Sequence, residues 1–238
     1  MKPALVPSKF TRPDREKYTR CYCEEVEMAL SAIDCALNRE RAIYCSTELT
    51  SGRRLYEALR KNKCQNKTEL KAKMGEEWIK ENIERVNFEN ARKFAEYVRN
   101  TIGDNATVIT PAPLHVPGWE QPEYNDFWRS LLRSRIKFAW FNSNWQFSNG
   151  CTFEFGIAQE VGLRTLDRNG NRLERSAGIK LMRRAIQTLN DQGFDASELC
   201  KNLERLPTVF PVMLPVPRKA PVPTKAPRNT ANGGFPSN

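Results

Sequence analysis

Ile136-Lys-Phe-Ala-Trp-Phe-Asn-Ser-Asn-Trp-Gln-Phe-Ser-Asn-Gly-Cys-Thr-Phe-Glu-Phe-Gly-Ile-Ala158 is the stretch that decides the fold. Its opening run, Ile136 to Phe141, is apolar, aromatic-rich and too short for a helix, which predicts a buried strand. A polar loop over 142–150 follows, and a helix is expected from about Thr152 to Val161. A strand, a turn of small residues and a helix, in that order, form the repeating unit of a parallel α/β sheet.

The same unit recurs upstream. Arg41 to Ser46 reads as a strand, Leu49-Thr-Ser-Gly-Arg53 as a small-residue turn, and a helix is expected to start near Arg53. Residues 61–75 are polar and Lys-rich and read as an exposed loop or frayed helix. A helix is predicted from Glu76 to Ile102 with a break near Asn87, and Gly103 offers a C-cap. Ala106 to Pro111 reads as the next strand. The stretch 111–125 carries four prolines and one glycine, which predicts a long ordered loop or lid over a strand end, with a short helix from Asp126 to Arg133. Downstream, Leu163 to Asp167 is a fourth candidate strand, Asn169-Gly170 a turn, and 174–191 an amphipathic helix with Ile179, Met182, Ile186 and Leu189 on one face.

The expected fold is α/β: a Rossmann-like parallel sheet of about four to five strands flanked by helices. An N-terminal helix from Glu16 to about Arg39 and a disordered Pro-rich C-terminal tail flank it. Three regions follow: a basic extension and helix over 1–39, the α/β domain over 40–206, and the tail over 207–238. From Pro207 onward the chain holds eight of its 15 prolines, a composition that cannot bury enough apolar surface to order itself.

The net charge of +10 sits at the ends: residues 1–20 and 211–238 each contribute +4, leaving the body near neutral. Such ends read as tails that touch an anionic polymer such as a nucleic acid weakly and salt-dependently, or that simply keep the protein soluble. The seven cysteines form no CxxC pair and His115 is the single histidine, which argues against a Cys/His zinc site. No apolar run has membrane-spanning length, and the N-terminal residues lack the apolar core of a signal peptide. A reduced, cytoplasmic protein is the simplest reading.

Chemistry concentrates in the quoted stretch. Ser148 and Gly150 fall where a strand hands over to a helix, the rim at which α/β folds bind ligands and where exposed backbone N–H groups favour an anion. Glu154 is expected in the first turn of that helix, kept charged by the helix N-terminus while Phe153 and Phe155 exclude water. A charged, poorly hydrated carboxylate suits a nucleophile, although an acid there also complements the helix dipole without any chemistry. Trp145 and Trp119, on loops, are candidates for stacking on a base or for loop packing, whereas Trp140 alternates in a strand and reads as core. His115 reads more as a solvated or capping group than as a general acid, and Cys151 as a packed thiol.

Three separated pieces resemble the nucleoside 2-deoxyribosyltransferase superfamily, nearest its branch of nucleoside 5′-monophosphate N-glycosidases. They are Ile43-Tyr-Cys-Ser46 with Ser51-Gly-Arg53, Asp126-Phe-Trp-Arg-Ser-Leu-Leu, and Ser148-x-Gly150-x-x-x-Glu154-x-Gly156-x-Ala158. The resemblance covers roughly residues 41–167 and is most specific in the third piece. It implies that Glu154 attacks C1′, that Tyr44 orients it, and that Asp126 holds the ribose hydroxyl or acts on the departing base. Ser148 and Gly150 would hold the 5′-phosphate, with Ser51, Gly52 and Arg53 completing the cradle. The implied reaction is hydrolysis of the N-glycosidic bond of a (deoxy)nucleoside 5′-monophosphate through a glycosyl-enzyme, which requires no metal or cofactor. The alternatives are base exchange by a deoxyribosyltransferase, cleavage of NAD, and a non-catalytic nucleotide-binding module. The resemblance also implies a homodimer with sites near the interface.

Overall fold

A computed structural model describes residues 15–37, 42–103, 106–112, 114 and 116–206. The basic stretch before Arg15, His115 and the Pro-rich segment from Pro207 lie outside the described residues.

Four parallel strands form one sheet in the order β2-β1-β3-β4: β1 is Ala42–Ser46, β2 Val108–Ile109, β3 Ile136–Phe141 and β4 Arg164–Leu166. Tyr44 pairs with Ala139 and Ser46 with Phe141, so β1 and β3 are the central strands. Every residue of β1 is buried, the condition under which a parallel strand loses polar alternation and reads as a continuous apolar run.

Successive side chains of the strands enter two cores. Ala42, Tyr44, Ala139 and Phe141 join Phe127 and Leu131 of α6 (Gln121–Ser134) and Phe155 and Ala158 of α7 (Asn149–Glu160). Val26 and Leu37 of α1 (Arg15–Leu37) join the same cluster, and Asp34 pairs with Arg135 just ahead of β3. Ile43, Cys45, Trp140 and Leu166 face the other way, against Phe94, Ala95 and Val98 of α5 (Arg85–Ile102). A third cluster lies among helices and the turns that join them, away from the sheet. It joins Leu55 and Leu59 of α2 (Arg53–Asn62) and Leu70 of α3 (Lys67–Met74) to Ala185 and Leu189 of α8 (Arg175–Asp191) and Leu199 of α9 (Ser197–Glu204).

Several elements differ from expectation for identifiable reasons. The Lys-rich stretch contains α3, ordered by one fully buried side chain, Leu70, and by the Asn66 cap, which accepts from the Glu69 amide at 2.9 Å. The prolines over 111–125 do not keep the whole stretch as loop. Pro122 sits in the first turn of α6, where a missing N–H is harmless, and Glu120 and Glu123 close a capping box. The long helix is interrupted by a π-helical turn at Lys80–Glu84, between α4 (Glu76–Ile79) and α5, not at Asn87. Asn87 is buried and donates to the Leu49 carbonyl at 2.7 Å. Helix α7 begins at Asn149, three residues earlier than its apolar residues indicate, because Ser148 caps it. Among the described residues no helix is long and apolar enough to cross a membrane.

Candidate active site

The chain passes from β1 to β2 on one side and returns across β1 to β3 on the other, so the carboxyl ends of β1 and β3 flank the crevice where strand order reverses. Tyr44 and Ser46, two apart on β1, point to the same face, and α7 lays Glu154 against both. The Tyr44 hydroxyl donates to Glu154 Oε1 at 2.8 Å, and the Ser46 hydroxyl donates to Oε2 at 2.5 Å. Asn202 of α9 fixes the start of α7, its amide donating to the Asn149 carbonyl at 3.0 Å and to Thr152 Oγ1 at 2.9 Å.

Glu154 lies in the second turn of α7, and its surroundings overturn the expectation that the helix N-terminus keeps it charged. The macrodipole fades within a turn, whereas the side chain is 5% exposed. Burial pushes its pKa up to about 7, against the opposing pull of the Ser46 and Tyr44 hydrogen bonds. Among the described residues no ion pair reaches it. Tyr44 is raised well above its ordinary value by burial and by the Glu154 charge, so it remains a donor. Burial likewise raises the Cys151 thiol and keeps it protonated.

The tryptophans separate by packing. Trp145 is 4% exposed, with its ring 4.7 Å from that of Phe155 and 5.1 Å from that of Phe141, so it is a core side chain and base stacking is closed to it. Trp119 is half-buried between α1 and α6, donating to Glu25 at 3.1 Å and packing on Tyr124 and Phe127. Trp140 is core on the α5 face, as its alternation indicates.

The turns meet at a rim. Ser51 Oγ lies 3.3 Å from Ser148 Oγ, bringing the first and third sequence motifs together at two helix starts. Gly52 has φ 116°, and a Cβ there would fall 2.5 Å from Glu48 Cδ, so this position requires glycine. The Glu48 carboxylate accepts the Arg53 amide at 3.0 Å, occupying part of the N–H cradle expected to take phosphate, and burial pushes Glu48 up to about 7. The Arg53 side chain turns to Glu57 at 2.8 Å. Gly150 follows Ser148 within α7 with nothing but the Ser148 hydroxyl near a built Cβ, at 3.9 Å. Asp126, on α6, has a 56% exposed side chain 3.9 Å from Arg129, whose guanidinium sits 5.5 Å over the Phe153 ring. It neighbours α7 but does not join the Tyr44–Ser46–Glu154 group.

The structure thus unites Tyr44 with Glu154 and Ser51 with Ser148, and adds Ser46, to which sequence reasoning gave no role. The signal was present: residues two apart on a strand share a face. A cleft of about 440 Å³ opens at the same sheet edge on the α5 side, lined in part by Thr47, Glu48, Arg53 and Asn142; Glu154 is not among its walls. Compared with known protein families, with curated proteins and with solved structures, the chain matches none. Fold and site together define an α/β protein with a four-stranded parallel sheet and a buried, hydroxyl-held carboxyl at its carboxyl edge.

Proposed function

We propose that the protein hydrolyses the N-glycosidic bond of a nucleoside 5′-monophosphate, with Glu154 as nucleophile. The observation that carries this reading is the Glu154 carboxyl held by Tyr44 and Ser46 at the strand-order reversal. Two donors fix the carboxyl in one orientation, and burial leaves it near neutrality in its pKa, so a reactive ionised fraction exists at neutral pH without strong hydration.

In the reaction Glu154 attacks C1′, the C1′–N bond breaks, and its electron pair leaves with the base, which takes a proton from water. Water then cleaves the glycosyl ester, releasing sugar phosphate and restoring the carboxylate. Ser51 and Ser148, whose hydroxyls meet at the rim, hold the 5′-phosphate in place of each other, next to Gly150, where nothing crowds an incoming group.

A second reading is favoured by one observation: Glu154 does not line the cleft. In that case the carboxyl is structural and the protein binds a nucleotide without cleaving it.

Base release, followed by chromatography over nucleosides, their 5′-monophosphates and NAD, separates the readings. Hydrolysis predicts free base from monophosphates, lost by about 10³-fold or more in Glu154→Gln. Base exchange requires an added acceptor base, and NAD cleavage would show as nicotinamide. No release from any substrate, with monophosphate binding unaffected by Glu154→Gln, leaves the binding reading.

A further inference from the structure

The cleft on the α5 side of the sheet edge is not used by the chemistry above. Its walls come from five places: the loop after β1, the start of α2, one face of α5, the loop after β3 and the loop after β4. At about 440 Å³ it falls in the size range of sites for small organic ligands.

Two of its buried polar groups are donors without a partner among the described residues. Thr47 is 4% exposed, and its hydroxyl is buried without a hydrogen-bond partner among the described residues. Arg54 Nε is buried and unpartnered in the same way. Both residues line the cleft, and buried polar atoms in folded proteins are seldom left unpaired. Lys93 reaches in from α5, and Arg168 from beyond β4. The Arg168 guanidinium is oriented by donating to Asn142 Oδ1 at 3.2 Å and to Ser143 Oγ at 3.4 Å. The lining acids, two against four lining cations, offset this charge only in part, Glu48 acting on Arg54 and Arg53. Glu57 is engaged by Arg53, and the Glu48 carboxyl, raised by burial, already accepts the Arg53 amide.

We propose that this cleft is a second ligand site, which binds a phosphomonoester through Arg54, Lys93, Arg168 and the Thr47 hydroxyl, apart from the Glu154 carboxyl. Phosphate oxygens are acceptors only, and guanidinium, ammonium and hydroxyl donors converging from separate elements satisfy them. The cleft is larger than a phosphate group, and Tyr97 forms part of its wall, 45% exposed with its ring 6.3 Å from that of Trp140. A flat ring carried elsewhere on the phosphomonoester lies against that tyrosine, so the ligand class is phosphomonoesters that bear an aromatic ring, nucleoside monophosphates among them. The site goes beyond the hydrolysis reading and does not depend on it.

The test is titration calorimetry of the full chain with adenosine 5′-monophosphate, adenosine and inorganic phosphate, in the unmodified protein, in Glu154→Gln, and in Lys93→Ala/Arg168→Ala. The last two side chains are exposed, so their removal leaves the core intact. Expected are binding of the monophosphate and, more weakly, of inorganic phosphate, with none of adenosine. Affinity should fall about tenfold or more in the double variant and stay unchanged in Glu154→Gln. Backbone amide shifts at Thr47 and Arg168 on titrating the unmodified protein give a readout that needs no variant. Equal affinity in the double variant, binding abolished by Glu154→Gln, or amide shifts confined to α7 would each overturn the second site. Absence of base release in the chromatographic assay would leave it standing.

Discussion

Tyr44 donates its phenolic proton to Glu154 across 110 residues of chain, with both side chains buried and Ser46 holding the second carboxyl oxygen. An acid placed this way is held by neutral dipoles in a dry setting instead of by a cation. Neutral hydroxyls only partly replace the water lost on burial, and that is why burial raises the group from 4.5 to about 7.

That shift makes stability depend on pH. Glu154 ionises around 4.5 when unperturbed and around 7 in the fold. Between those values the native state binds a proton that the unfolded chain has released, so this group lowers stability as pH rises from 4.5 towards 7 and adds no further loss above it. Glu154→Gln removes the dependence. The variant should be more stable than the unmodified protein by about 1–3 kcal/mol at pH 8 and nearly equal to it at pH 4.5. Thermal melts of both proteins across that range check it; parallel curves would sink the assignment of the shift to Glu154. Glu48, raised in the same direction, contributes equally to both and cancels in the difference.

Tyr44→Phe leaves one oxygen of the buried carboxyl without its donor. The expected cost is about 1–3 kcal/mol of stability, and the Glu154 pKa moves further up because a lowering influence is lost. For a nucleophile that must be ionised, base release rises with pH through about 7 in the unmodified protein, and the rise should move to higher pH in Tyr44→Phe. A pH–rate profile of kcat/KM decides it. An unmoved profile means that Tyr44 does not tune the reacting group.

The strands at Ala42–Ser46 and Ile136–Phe141 were legible because parallel strands buried on both faces are largely apolar, with Ser46 and the exposed Lys137 the exceptions, and the pairing of Glu154 with Tyr44 was expected from the resemblance. What stayed hidden depends on partners distant in sequence. Helices α3 and α9 are short and polar, and they exist because Leu70 and Leu199 reach a shared helical cluster. Trp145 looks like a loop residue until Phe141 and Phe155 close around it. The protonation of Glu154 was misread because sequence shows the helix start but not the burial that outweighs it.

Helix α9 matters to the site through one side chain. Asn202 donates to both Asn149 and Thr152, and its removal leaves that carbonyl and hydroxyl buried with fewer partners. Asn202→Ala should cost about 1–2 kcal/mol and loosen the first turn of α7. Hydrogen exchange at Cys151 and Thr152 should then speed up more than exchange at Ala139 in the sheet. Uniform acceleration would mean a global effect with no local role for α9.

Gly178 of α8 packs so closely on Phe155 that a Cβ would fall 2.2 Å from the ring carbon Cζ. Phe155 has no room to retreat, since Phe141 and Trp145 stand on its other sides. Gly178→Ala should therefore destabilise by about 1–3 kcal/mol through overpacking, even though alanine is the better helix former. If the clash is the cause, Gly178→Ala combined with Phe155→Leu should cost less than the sum of the two single substitutions, with a coupling of about 1 kcal/mol or more in urea denaturation. Strict additivity would place the cost elsewhere in α8. Because Phe155 is the neighbour of Glu154 on α7, the single Gly178→Ala variant should also lose base release beyond its loss of folded protein, and the double variant should recover part of it.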